Sequence, residues 1–146
     1  MLLFMSDMLG RSKSFLMLSK TAMSNISNDD SNMDTACFCA HQALELLLKY
    51  IIETNGMQPP KTHEIDTLLT YSKSSGFDYS KYDDIYNFAD KLNKWETSSR
   101  YGSGILTNVE ALKKAYNFTE EVLNEFVKSK EGGSQKFSTL KSLKDK

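Results

Sequence analysis

Little cysteine, little net charge and no long apolar run characterise this sequence of 146 residues. Its two cysteines, Cys37 and Cys39, stand two residues apart. On a helix their side chains diverge by about 160°, which suits two small buried hydrophobes of a reducing compartment and not a disulfide or a shared metal. Eighteen basic against nineteen acidic residues leave a net charge of −1. That balance gives no support to a broad nucleic-acid footprint or a membrane-surface patch, so any basic site must be local. The apolar start Met1–Met5 is interrupted by Ser6, Asp7, Arg11 and Lys13, far short of the ~20 residues of a membrane span. It also lacks the basic start and small-residue cleavage site of a signal peptide. A cytoplasmic protein without membrane contact is the expectation. Missing too are a glycine-rich phosphate loop, a His-Glu-x-x-His helix and a nucleophile elbow, the common enzyme signatures. No catalytic residue, cofactor or metal is expected.

What the chain does contain is helical periodicity. With 40% hydrophobic residues it can fill the core of one domain. The stretch Ala36 to Lys49 is apolar almost all round. At about 100° per residue, Phe38, Gln42, Glu45 and Lys49 fall within roughly 60° of one another, opposite Ala36, Ala40, Ala43, Leu47 and Ile51. Such a helix belongs at the centre of a bundle, and its one polar strip either meets water or faces a groove.

The other elements arrange themselves around it. A first helix covers Met5 to Ile26, with Gly10 as a weak spot, and the polar turn Ser27–Asn32 starts the central helix near Asn32 to Asp34. Gly56 suits its C-terminal cap. Pro59-Pro60 enforces an extended connector, Thr62 can cap a third helix over His63 to Ser74, and Gly76 ends it. Tyr82, Ile85, Phe88, Ala89, Leu92 and Trp95 share one face of a fourth helix. The Ser/Gly stretch Ser98–Gly104 breaks that helix, and Thr107 or Asn108 caps a last one through about Lys130, with a core stripe from Val109 to Phe126. No strand-length alternation and no repeat compete. The expected fold is all-α, an up-and-down antiparallel bundle of four to five helices over residues 1–130, followed by a flexible basic tail at 131–146.

Polar residues that can carry chemistry gather at the helix ends. Arg100 offers a planar fork for phosphate, Tyr101 a ring for base stacking, and free amides at the start of the last helix can add to an anion site. His63 follows the Pro-Pro connector. Each has a plain structural alternative: a Glu45–Lys49 pair at i,i+4 worth about 0.3 kcal/mol, capping contacts for His63, a loop-fixing salt bridge between Arg100 and Glu45, and core packing for Trp95, Tyr82 and Tyr86.

The segments Gln42-Ala-x-Glu45-x-x-x-Lys49, Pro59-Pro60-Lys61-Thr62-His63-Glu64-Ile65 and Ser99-Arg100-Tyr101 together resemble the HEPN domain (higher eukaryotes and prokaryotes nucleotide-binding). They come in the family's order and spacing. The resemblance implies a helical bundle, homodimerisation, nucleotide or RNA binding, and a small nucleotidyltransferase as partner in toxin–antitoxin pairs. The family's ribonuclease branch carries a histidine separated from its arginine by four to six residues; Ile105, Leu106 and Thr107 stand there in this chain. None of them exchanges a proton as imidazole does. The chain is more similar to the Arg-Tyr branch, with Gly102 in place of that branch's proline. Arg100, Tyr101, His63, Lys49, Gln42 and Glu45 are therefore the candidate nucleotide- or RNA-binding residues. Two other roles stand beside non-catalytic binding: docking of a nucleotidyltransferase, and a ribonuclease toxin that uses His63 or His41 instead.

Overall fold

The computed structural model describes residues 3–77, 79, 82, 85–100 and 108–145, with side chains outside 3–6, 86–87, 96–100 and 130–145. Among the described residues five helices follow one another: α1 (Leu3–Ser24), α2 (Ser31–Thr54), α3 (Ile65–Ser74), α4 (Ile85–Arg100) and α5 (Val109–Asp145). The described residues contain no strand. The expected all-α antiparallel bundle is the fold observed.

α2 packs against every other helix. Its burial follows from its sequence: no residue from Ala36 to Ile52 is fully exposed, and Ala36, Leu44, Leu47, Leu48, Ile51 and Ile52 have no accessible surface. Each large aliphatic side chain among them contributes about 2 kcal/mol of transfer free energy. α1 crosses α2 on small residues, Ser12, Ser19 and Ala22, with Leu16 between them. The Ser12 hydroxyl donates to the Ala43 carbonyl at 2.7 Å and the Ser19 hydroxyl to the Ala36 carbonyl at 2.8 Å. Seven residues forward on α1 correspond to seven backward on α2, as an antiparallel pair requires.

Helix ends show where the chain departs from expectation. α2 starts at Ser31, one residue ahead of the expected 32–34, within the expected capping turn: Asp30 is its N-cap without a side-chain cap bond, and the Asp29 carboxylate accepts the Ser31 amide at 2.9 Å, which holds that carboxyl below its ordinary range. At the far end Gly56 takes φ +89, and the amides of Gly56 and Met57 donate to the carbonyls of Glu53 and Ile52. This is the Schellman arrangement, which a residue without Cβ adopts without strain. Gly76, at φ +118, closes α3 the same way. Thr62, in contrast, does not cap α3. It accepts the Glu64 amide at 3.1 Å, while the Ile65 amide donates to Asn93 Oδ1 on α4 at 2.7 Å. Asn93 in turn donates to Asp66 at 3.0 Å, so α4 supplies the cap from 28 residues away.

The apolar face of α4 is as expected, with Ile85, Phe88, Ala89, Leu92 and Trp95 all buried; Tyr82 lies before the helix. α4 continues through Ser98 and Ser99 to Arg100, because no proline or glycine interrupts it before Gly102. Asn108 caps α5, accepting the Ala111 amide at 2.8 Å. Leu112, Thr119, Val122, Leu123 and Phe126 are buried as expected, but Val109 is 37% exposed in the first turn; Ala111, Ala115 and Phe118 fill the seam with them. The backbone of α5 runs on to Asp145, past the end expected near Lys130. Gly132-Gly133 weakens a helix by about 1 kcal/mol per residue without breaking it, and both prolines of the chain lie far away at 59–60.

Candidate functional site

The connector between α2 and α3 is extended by Pro59-Pro60, and it brings His63 back over the polar strip of α2. There Glu45 is 4% exposed, a carboxylate that must find partners to be tolerated. It finds two. His63 Nδ1 donates to Oε1 at 3.0 Å and Lys49 Nζ donates to Oε2 at 3.1 Å. His41, fully buried one turn before Glu45, donates from Nε2 to the His63 carbonyl at 3.0 Å, and its Nδ1 lies 3.8 Å from Glu45 Oε1. α2 thus holds His63 by ring and backbone at once.

The tautomers follow from the acceptors. A carboxylate and a carbonyl only accept, so His63 Nδ1 and His41 Nε2 both carry hydrogen. His63 Nε2 makes no hydrogen bond to the described residues, and the side chain is 51% exposed. Lys49 keeps two further N–H donors and a partly open side chain, at 19% exposure. Gln42 sits on the same strip, half-buried and without a hydrogen bond to the described residues. The strip is therefore neither a plain solvated face nor an empty groove. Its centre is a sealed carboxylate, its edges are the Lys49 ammonium and the His63 imidazole. The Glu45–Lys49 pair is present as expected, and His63 contacts Glu45 in place of the expected capping contacts.

Arg100 forms the end of α4 and not part of a loop; its side chain, and Tyr101 altogether, lie outside the described residues. The structure consequently joins Glu45, Lys49 and His63, with Gln42 alongside. His41 was legible as a structural or an alternative catalytic histidine; its position four before Glu45, itself four before Lys49, sets all three on one ladder.

Other reactive groups lead elsewhere. Cys37 and Cys39 are both buried and free. Burial, with the Asp34 carboxylate adding to it, pushes the Cys37 thiol up to about 12, and burial also raises Cys39; neither is a nucleophile at neutral pH. Among the described residues no group of three His, Cys, Asp or Glu is placed to hold a metal. An open groove beside Tyr82 is lined by Glu121, Asn124, Glu125 and Lys128. Its two carboxylates repel phosphate, and the Tyr82 hydroxyl donates to Glu125.

The HEPN domain family model matches residues 5–130, from α1 to the middle of α5. The chain belongs to the HEPN family. No curated protein and no solved structure matches it. No helix of the described residues is long and apolar enough to cross a membrane. Within this HEPN domain the first two segments that carried the resemblance lie on α2 and on the connector into α3, and Ser99 and Arg100 of the third end α4.

Proposed function

We propose that this HEPN domain binds a nucleotide or RNA without cleaving it, at the surface where His63 and Lys49 flank Glu45. The carrying observation is that cluster: a buried carboxylate fixes one imidazole and one ammonium side by side at an accessible edge. In this reading Lys49 and Arg100 meet phosphate, the latter through its planar fork, and Tyr101 stacks on the base, with Gln42 at the margin. Ile105, Leu106 and Thr107 in place of a histidine support binding over cleavage.

A protein partner is a second reading, supported by a different surface. α1 presents Met17 at 69% and Leu18 at 52% exposure, apolar area that a second copy or a small nucleotidyltransferase would cover.

Thermal melts of wild type, Lys49→Ala and Arg100→Ala with ATP, GTP and short RNA test the first reading. A ligand at a hundred times its Kd stabilises by about 2.7 kcal/mol, a rise of about 8 °C for a domain of this size. The expected result is a rise in wild type that both variants lose. No rise with any of these ligands refutes nucleotide binding and leaves the docking reading.

A further inference from the structure

The site presents two kinds of hydrogen-bonding group, and they suit different parts of a nucleotide. Lys49 is a pure donor, matched to phosphate oxygens, which only accept. His63 is different. Its Nδ1–H is committed to Glu45 Oε1 at 3.0 Å, and its carbonyl to His41 Nε2 at 3.0 Å. The ring can neither flip nor swing without leaving a buried carboxylate short of a partner. In the neutral ring the remaining nitrogen, Nε2, is then an acceptor only. It lies on a side chain that is 51% exposed and makes no hydrogen bond to the described residues. An acceptor held in place beside a cation does not fit phosphate. It fits a group that brings its own hydrogen.

We propose that His63 Nε2 accepts a hydrogen bond from a donor of the bound nucleotide, a ribose hydroxyl or a base amino group, with Glu45 as the positioning residue that fixes the tautomer. This rests on the nucleotide-binding reading above and assigns a division of labour within it: Lys49 takes the phosphate end, His63 the nucleoside end. Such an acceptor discriminates because a ligand lacking the donor leaves Nε2 unpaired in the complex.

Two substitutions separate the ring's two nitrogens. The shorter amide of asparagine reaches the position of Nδ1, so His63→Asn keeps a donor to Glu45 and removes Nε2. The longer amide of glutamine reaches the position of Nε2, so His63→Gln restores an acceptor there. Binding is measured at about pH 8 with ATP, 2′-deoxyATP, purine riboside triphosphate, and oligoadenylate RNA against its DNA counterpart. The melting temperature of each variant alone shows that it is folded.

Wild type is expected to bind ATP or the RNA about tenfold more tightly than one of the analogues, the loss of one hydrogen bond. Weak binding of 2′-deoxyATP or DNA identifies the ribose hydroxyl; weak binding of purine riboside triphosphate identifies the amino group. His63→Asn should lower the preferred ligand to the level of its analogue and abolish the preference, and His63→Gln should regain part of it. A His63→Asn protein that binds as wild type, or that keeps the preference, overturns the inference while nucleotide binding stands. A wild type that binds none of the probes overturns both.

Discussion

Helices α1 and α2 are antiparallel neighbours of 22 and 24 residues, yet they distribute polarity in opposite senses. α1 leaves Met17 and Leu18 more than half exposed, whereas α2 buries Glu45 and encloses His41 completely. Residue type does not explain this; location does. α1 packs mainly on α2 and keeps its outer side in water, so apolar side chains there find nothing to cover them. α2 packs against all four other helices, and the 57–64 connector lays His63 over its polar strip, so Glu45 is enclosed while Lys49 and His63 stay partly open at its edge. The buried charge survives because Glu45 pairs with His63 and Lys49, and His41 Nε2 donates to the His63 carbonyl. Burial of charge is tolerated where the geometry completes it.

The sharpest way to break the comparison is a pair of identical truncations. Leu47→Ala on α2 should cost about 3 kcal/mol through lost transfer energy and a cavity, and Leu18→Ala on α1 should stay within about 0.5 kcal/mol; urea denaturation of both reads the difference. Next in size is the polar strip. Glu45→Ala strands two donors and should cost about 2 kcal/mol, while Glu45→Gln, which keeps an acceptor, should cost about half as much. Equal losses in the two variants would mean that the carboxylate's volume and not its hydrogen bonds matters. Asn93→Ala removes the cap of α3 and should cost about 1 kcal/mol, with faster amide exchange confined to the first turn of α3 as its signature.

The smallest effect at neutral pH concerns Cys37, whose thiol is pushed from 9.0 to about 12. The folded state holds this proton more tightly than the unfolded one. Its contribution is intact below pH 9 and is lost as the pH rises from 9 towards 12. The Tyr82 and Tyr116 phenols, raised by burial and by the carboxylates of Glu125 and Glu120, act with the same sign. Cys37→Ala should therefore flatten the alkaline fall of the melting temperature without altering it near pH 7.

Much of this architecture can be read from periodicity and punctuation. The all-round apolar character of Ala36 to Ile52 marks the central helix, the spacing from Ile85 to Trp95 marks the inner face of α4, and Gly56 and Gly76 close their helices as glycines at positive φ do. What stayed hidden depends on contacts between distant segments. A helical wheel puts Glu45 on a polar strip, but cannot show that the chain returns after Pro59-Pro60 to cover it. Thr62 has the right type and place to cap α3, and loses that role to Asn93 because α4 passes within 2.7 Å of the Ile65 amide. Val109 belongs to the core stripe by number, yet it is 37% exposed while Ala111 and Leu112 of the same turn are buried, so the seam runs through its neighbours. Of the candidate site, Glu45, Lys49 and His63 were legible as residues but not as one hydrogen-bonded group.

The two serine hydroxyls between α1 and α2 have a consequence for motion. Ser12 and Ser19 are small residues seven apart, meeting the backbone at Ala43 and Ala36, with the bulkier Leu16 between them. A slide of α1 by four residues would set Leu16 opposite Ala43; a slide by three the other way would set it opposite Ala36. Either forces an isobutyl group into a gap that fits a hydroxymethyl, and removes a buried hydroxyl from its acceptor. The pair therefore works like a key cut to one depth: α1 and α2 can separate, but they cannot ratchet past each other by a turn.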